Sequence, residues 1–187
     1  MKIMKWNTLT KEQQQNALRR SDIDKSDATA SVEKILSDIK INGDNAVKKY
    51  TSIYDQVDLE SFYVTDEEIN RASERIDSQA IEAIKIAYQN IKKFHIEQIP
   101  KPIIVEPIPG VFLEKSYTAI ESVGLYIPSG SAPLFSTVLM LGIPAKIAGC
   151  SEIVLTTPAN SNGEVNDLIL YCARLVGIKK ILKLGGA

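Results

Sequence analysis

Tyr126, Pro128, Ser129, Gly130 and Ser131 are followed closely by Ser136 and Thr137, so a phenol ring, several hydroxyls and a turn of small side chains share one short stretch. The stretch joins the strand-like Val123–Ile127 to the apolar Leu134–Ala148, whose pattern predicts a helix. A strand that enters a helix through such a turn leaves backbone N–H groups unpaired at the helix N-terminus, where a phosphate or carboxylate can accept from them. Tyr126 adds a ring face and a hydroxyl beside that turn. Ser136 and Thr137 add hydroxyls in the first helical turn. The chemistry on offer is ligand binding rather than bond making.

Residues for bond making are scarce. His95 is the single histidine. It lies in Lys92-Lys93-Phe94-His95, late in a long helical pattern, where an imidazole suits the last turn. No second ligand stands at a recognised metal spacing from it. Cys150 follows a glycine stop without a histidine to make a thiolate, and Cys172 is mid-helix, so both read as packed thiols. Asp66-Glu67-Glu68 puts carboxylates where they answer a helix dipole. No nucleophile–base–orienter set assembles, and no catalytic or metal-ligating residue is assigned. The turn itself lacks the G-x-G-x-x-G pattern. The following strand ends in Thr156-Thr157-Pro158 with no acid for a ribose. On residues alone, the turn serves either a ligand or tight strand–helix packing, and both uses stay open.

The chain that must position these residues has 187 residues, enough for one medium domain or two small ones. Hydrophobic residues at 44% and charged residues at 24% are ordinary for a soluble globular chain with a real core. A net charge of −1 gives no electrostatic case for nucleic acid or an anionic membrane. The longest apolar run, Val138–Ile143, is too short to span a bilayer, and residues 1–10 hold no apolar signal core. Two cysteines far apart suit free thiols in a reducing cytoplasm.

Residues 1–102 read as a helical segment. A short helix is expected over Thr10–Arg20. Val32, Ile35, Leu36 and Ile39 make one face of a helix over Asp27–Asn42, stopped by Gly43. Asp44 reads as the N-cap of Asn45–Tyr54, where Val47, Tyr50 and Tyr54 share a face. Phe62-Tyr63-Val64 is a short extended piece. Thr65 and Glu68 form a capping box, and Ser78 reads as the cap of a helix over Gln79–Gln98 with Ile81, Ile84, Tyr88 and Ile91 inward. Pro100 and Pro102 end it and mark the domain boundary. Residues 103–187 then read as a hairpin, Ile103–Glu106 with Val111–Lys115, and a βαβαβ order. That order is Val123–Ile127, Leu134–Ala148 with an expected kink near Leu141 from Pro144, Glu152–Thr157, Glu164–Val176 and Lys179–Leu184. The fold class is α/β: helices followed by an incomplete Rossmann-like parallel sheet.

The block Val123–Cys150 closely resembles the signature of histidinol dehydrogenases. In the same order, Gly43-Asp44 with Tyr50-Thr51, Asn90-Ile91 with Phe94-His95 and Gln98, Pro109-Gly110-Val111, Ile153-Val154-Leu155 with Thr157-Pro158, and Gly185-Gly186-Ala187 continue the resemblance. It covers almost the whole chain as the N-terminal part of such an enzyme. The resemblance implies a zinc-dependent homodimer, similar in fold to aldehyde dehydrogenases. It would oxidise L-histidinol to L-histidine through the aldehyde, with NAD, at the end of histidine biosynthesis. Tyr126 matches a family tyrosine that contacts NAD, and with Pro128 and Gly130 it makes the candidate cofactor site. The next family contact, a glutamine after Gly-Gly-Ala, would be one residue beyond Ala187. The family's zinc ligands, catalytic glutamate and histidine, and substrate contacts match no position here. Ser129 stands where the family usually has Gly, and Ala119 where it usually has Pro.

The leading expectation is therefore the N-terminal part of histidinol dehydrogenase, inactive alone. A non-catalytic interaction or dimerisation module, or the relic of a truncated gene, is the rival, with a bare sheet edge and an uncovered apolar face after the third strand. An unrelated phosphate-binding α/β domain is a third reading.

Overall fold

The structure, a computed structural model, describes residues 5–18, 26–129 and 133–185. A 3-10 turn at Trp6–Thr8 leads into helix α1 (Lys11–Leu18). Thr10 caps that helix reciprocally: the Gln13 N–H donates to Thr10 Oγ1, and the Thr10 N–H donates to Gln13 Oε1. Helix α2 (Ser26–Asn42) packs on α3 (Asp44–Tyr50). Ile35 of α2 is buried and Ile39 half-buried, but Leu36, expected on the same face, is exposed because α3 covers only a narrow stripe. Asp44 is not the N-cap of α3. Gly43 is, at φ 54°, a conformation glycine enters without strain.

The expected helix to Tyr54 instead widens after Tyr50 into a π-helical turn, Thr51–Asp55. The wider turn rotates Tyr54 off the buried face, so it is exposed although its ring still stacks on Tyr50. Helix α4 (Asp66–Arg75) opens with the expected capping box, Thr65 and Glu68 each satisfying the other's backbone N–H. Helix α5 (Ser78–Ile96) is capped by Asp77, not Ser78; the Asp77 carboxylate accepts from the N–H groups of Gln79 and Ala80. Its buried residue is Ile84, with Ile81, Tyr88 and Ile91 half-buried on the same side.

Strands β1 (Ile103–Ile108) and β2 (Val111–Lys115) form the expected antiparallel hairpin. Its register slips between Val105 and Ile108, where Pro107 has no N–H to give. Gly110 closes the turn at φ 82° and donates to Glu106 Oε1 at 2.7 Å. Every residue of both strands is exposed.

The sheet that follows has β3 (Ser122–Tyr126), β4 (Glu152–Thr157) and β5 (Lys180–Lys183) in that order, all parallel. Helices α6 (Phe135–Ile147) and α7 (Asp167–Val176) connect them and pack on each other. Both end in the same way. Gly149 and Gly177 sit at φ 90° and 84°. Each glycine and the residue after it donate back to the last turn: Gly149 to Lys146 and Cys150 to Ala145, Gly177 to Arg174 and Ile178 to Ala173. The residue past each glycine is buried, which turns the chain directly into the next strand. Helix α7 starts later than Glu164 because Asn166 caps it, accepting from the Leu168 N–H, while Asn160 holds residues 160–164 in a turn of their own.

Leu125, Ile153, Leu155, Thr157 and Ile181 alternate onto the covered face of the sheet. One core joins them to Val138, Leu139 and Ile143 of α6, Ile169, Leu170 and Cys172 of α7, and Ile69, Ala72 and Ile84 of α4 and α5. Each fully buried Leu or Ile there contributes roughly 1.5–3 kcal/mol by transfer from water. The edge of β5 is not bare, contrary to expectation. Tyr63 bridges Leu182 in antiparallel sense, the Val64 N–H donates to Ile181, and the Lys183 N–H donates to Phe62. The short extended piece thus closes this edge with real ladder bonds.

Candidate functional site

Tyr126 is the last residue of β3, at the carboxyl end of the parallel sheet, and the residue is 44% exposed. Its neighbour Ile127 is fully buried and donates its N–H to Thr156 at 2.9 Å, which pins the strand tip. Alternation then sends the Tyr126 side chain to the face that α6 and α7 do not cover. Pro128 is exposed, and Ser129 pairs with Pro133 in an isolated bridge that draws the two ends of the loop together. Gly130, named with Tyr126 and Pro128 as a cofactor contact, lies outside the described residues, as do Ser131 and Gly186.

Among the described residues no side chain caps the start of helix α6, and its first turn holds no acidic residue. Its N-cap, Leu134, cannot accept from the orphan N–H groups through its side chain, although its carbonyl takes the Thr137 N–H at 3.0 Å. The remaining N–H groups and the positive dipole end lie just past the loop that follows Tyr126. That is an arrangement for an anion next to a ring face.

Two threonines complete the strand tips. Thr156, paired opposite Tyr126, donates its hydroxyl to the Leu184 carbonyl at 2.8 Å. Thr157 is fully buried and its Oγ1 has no hydrogen-bond partner among the described residues. Asp55, from the π-helical turn, accepts the Gly185 N–H at 3.2 Å. Burial raises the Asp55 pKa above the usual carboxylate value, opposed by the Gly185 N–H. Sequence reading missed Asp55 because its contact spans 130 residues and its neighbours carry no recognisable spacing.

His95 and the cysteines take structural places. His95 Nδ1 lies 2.6 Å from Gln98 Oε1 at the end of α5. Cys150 and Cys172 are free and buried, and burial pushes the Cys172 thiol up to about 12. A cleft of about 460 Å³ lies between His95, Gln98, Tyr117, Ile120, Pro144 and Cys150. It sits at the C-terminal end of α6, a helix roughly 20 Å long, whereas the strand tip of Tyr126 leads to its N-terminal end, so it is not part of the strand-tip site. Among the described residues, no three His, Cys, Asp or Glu side chains converge on a point, so they do not fit a zinc centre. No helix among them is long and apolar enough to cross a membrane.

The histidinol dehydrogenase family model matches residues 18–187. Histidinol dehydrogenase of Campylobacter jejuni strain RM1221 is 45% identical over 188 residues, covering 100% of this chain and 43% of the relative. That of Vibrio parahaemolyticus is 46% identical over 187 residues, covering 100% of this chain and 42% of the relative. The crystal structure of histidinol dehydrogenase from Elizabethkingia anophelis superposes with a TM-score of 0.87 at 43% identity, over 92% of this chain and 40% of that one. The chain therefore spans about two fifths of the length of the relatives it matches. It belongs to the histidinol dehydrogenase family.

Proposed function

We propose that this chain is the N-terminal part of an NAD- and zinc-dependent histidinol dehydrogenase, and that its strand tips form one wall of the NAD site. The observation that supports this is the placement of Tyr126 at the carboxyl tip of a parallel strand, with the N-terminus of α6 just beyond the loop. Tyr126 would offer its ring face, Pro128 and Gly130 would shape the turn, and the α6 amides would hold an anionic oxygen. NAD, when bound, supplies the hydride acceptor for oxidation of L-histidinol to L-histidine through the aldehyde. The zinc ligands and the acid/base pair would belong to the part of the family's length that this chain does not cover. In this reading the full-length enzyme is a cytoplasmic homodimer in histidine biosynthesis, and its first 102 residues form a helical unit beside the Rossmann-like one.

Calorimetry with NAD tests the site. Weak binding that Tyr126→Ala abolishes is expected; an unchanged affinity in that variant overturns it. The chain alone, given zinc, histidinol and NAD, is expected to produce no steady NADH absorbance, and steady turnover would contradict its inactivity.

A second reading, a docking or dimerisation module, is favoured by one feature. Ile104, Ile108, Phe112 and Leu113 of the hairpin are all exposed, more apolar surface than two strands carry comfortably in water. Sedimentation separates the two readings: a clean monomer at high concentration argues against this one.

A further inference from the structure

We infer that Asp55 is a positioning residue for the dinucleotide site, acting with Thr156 to fix the single peptide unit that joins Leu184 to Gly185. The inference rests on the strand-tip reading proposed above.

The geometry is specific. The Leu184 carbonyl accepts the Thr156 hydroxyl at 2.8 Å, and the Gly185 N–H donates to Asp55 Oδ2 at 3.2 Å. Carbonyl and N–H belong to one planar amide, so two partners from opposite sides set its tilt. One partner comes from the neighbouring strand, the other from the helical N-terminal segment. The amide sits where the chain leaves β5, at the carboxyl end of the sheet, and Thr156 is the residue registered against Tyr126. Ring, threonine and clamped amide thus make a row across the three strand tips.

The carboxylate comes so close that any side chain at residue 185 would have to displace it. A Cβ on residue 185 would stand 2.6 Å from Asp55 Oδ1 and 2.7 Å from Oδ2. The holder of the carboxylate is itself a specialised turn. Asp55 closes the π-helical turn, and Gln56 after it takes φ 56°. Gln56 is the one non-glycine residue with positive φ among those described. Local strain of this kind persists where the surroundings fix it, and π-turns recur at functional positions. A small cavity of about 140 Å³ lies alongside, lined by Tyr50, Thr51, Asp55, Leu184 and Gly185. Loss of the carboxylate would free the Leu184–Gly185 amide to rotate out of the row that Thr156 links to Tyr126.

The test uses the 187-residue chain with NADH as probe, read by fluorescence titration, and hydrogen exchange of the Gly185 amide read by NMR. Asp55→Ala is expected to raise the NADH Kd about tenfold and to strip the Gly185 amide of protection. Asp55→Asn keeps an acceptor oxygen and is expected to stay within about twofold of wild type, with protection retained. Gly185→Ala attacks the same contact from the other side and is expected to match Asp55→Ala, which covers the case in which that variant fails to fold. A wild-type chain that does not bind NADH, or a Tyr126→Ala chain that binds it undiminished, overturns the dinucleotide reading and this inference with it. If Tyr126→Ala weakens NADH while folded Asp55→Ala or Gly185→Ala does not, the positioning role alone is wrong. If Asp55→Asn is as damaged as Asp55→Ala, the amide clamp is not what Asp55 supplies.

Discussion

Lys183, the last residue of β5, donates to the Glu68 carboxylate in α4 at 2.6 Å, with both side chains largely covered. Glu68 also accepts the Thr65 N–H that starts α4. One carboxylate therefore both caps a helix of the N-terminal segment and ties it to the strand whose tip carries the clamped amide. Burial pushes the Glu68 pKa up, but the Lys183 ammonium and the Thr65 N–H outweigh it, and the group lies below its ordinary 4.5. A depressed acid contributes its stability fully above its unfolded pKa and loses it as pH falls through the folded one. Thermal melts from pH 7 to pH 3 are expected to show this loss below about pH 4.5 in wild type. Glu68→Gln, which keeps a capping oxygen but no charge, should sit about 1 kcal/mol lower at pH 7 and show a flatter acid limb. Identical pH profiles would remove the ion pair from the account.

Helices α6 and α7 meet at Gly142. A Cβ there would stand 2.9 Å from Val176 Cγ1 and 3.2 Å from Ile178 Cδ1. Alanine gains about 1 kcal/mol of helix propensity, but overpacking a filled core costs about 1–3 kcal/mol. The branched Val176 is buried and has little room to yield. Gly142→Ala is expected to lower the urea midpoint, with the slope unchanged. A rise would mean that the two helices separate more easily than the packing implies.

Thr157 buries its hydroxyl on the covered face of β4 without a partner among the described residues. A valine puts a methyl where that oxygen sits and removes the desolvation penalty. Thr157→Val is expected to stabilise the chain by about 1 kcal/mol in chemical denaturation. Destabilisation of similar size would show that the hydroxyl has a partner in solution.

Much of this architecture is readable from residue order, and the exceptions share a cause. Gly149, Gly177 and the Thr65–Glu68 box announce their own local geometry, so the ends of α6 and α7 and the start of α4 follow directly from the sequence. Leu36 and Tyr54 do not, because exposure depends on how much of α2 is covered and on a π-turn that periodicity cannot show. Asp77 outcompetes Ser78 as a cap, a choice decided by carboxylate geometry one residue earlier. At the site, Tyr126 is legible because strand and turn lie next to it in sequence. Asp55 is not, since its partner is brought to it only by the whole fold. The Phe62–Val64 piece reads as extended, but its place on the edge of β5 is likewise a tertiary fact.

The hairpin offers the sharpest separation of stability from association. Phe112 and Leu113 of β2 are 68% and 59% exposed, and β1 and β2 contact each other rather than the core. Side chains so placed add little to folding, since they remain in water on both sides of the equilibrium. Phe112→Lys with Leu113→Lys should therefore leave the melting temperature within a few degrees of wild type. The same pair puts like charges on an apolar patch, which opposes contact with another apolar surface. Sedimentation velocity of wild type at rising concentration is expected to show self-association that the double variant lacks. A wild type that stays monomeric at high concentration would mean that this surface is not sticky enough to drive contact between copies. A variant that melts far below wild type would mean that the hairpin is part of the folded core after all.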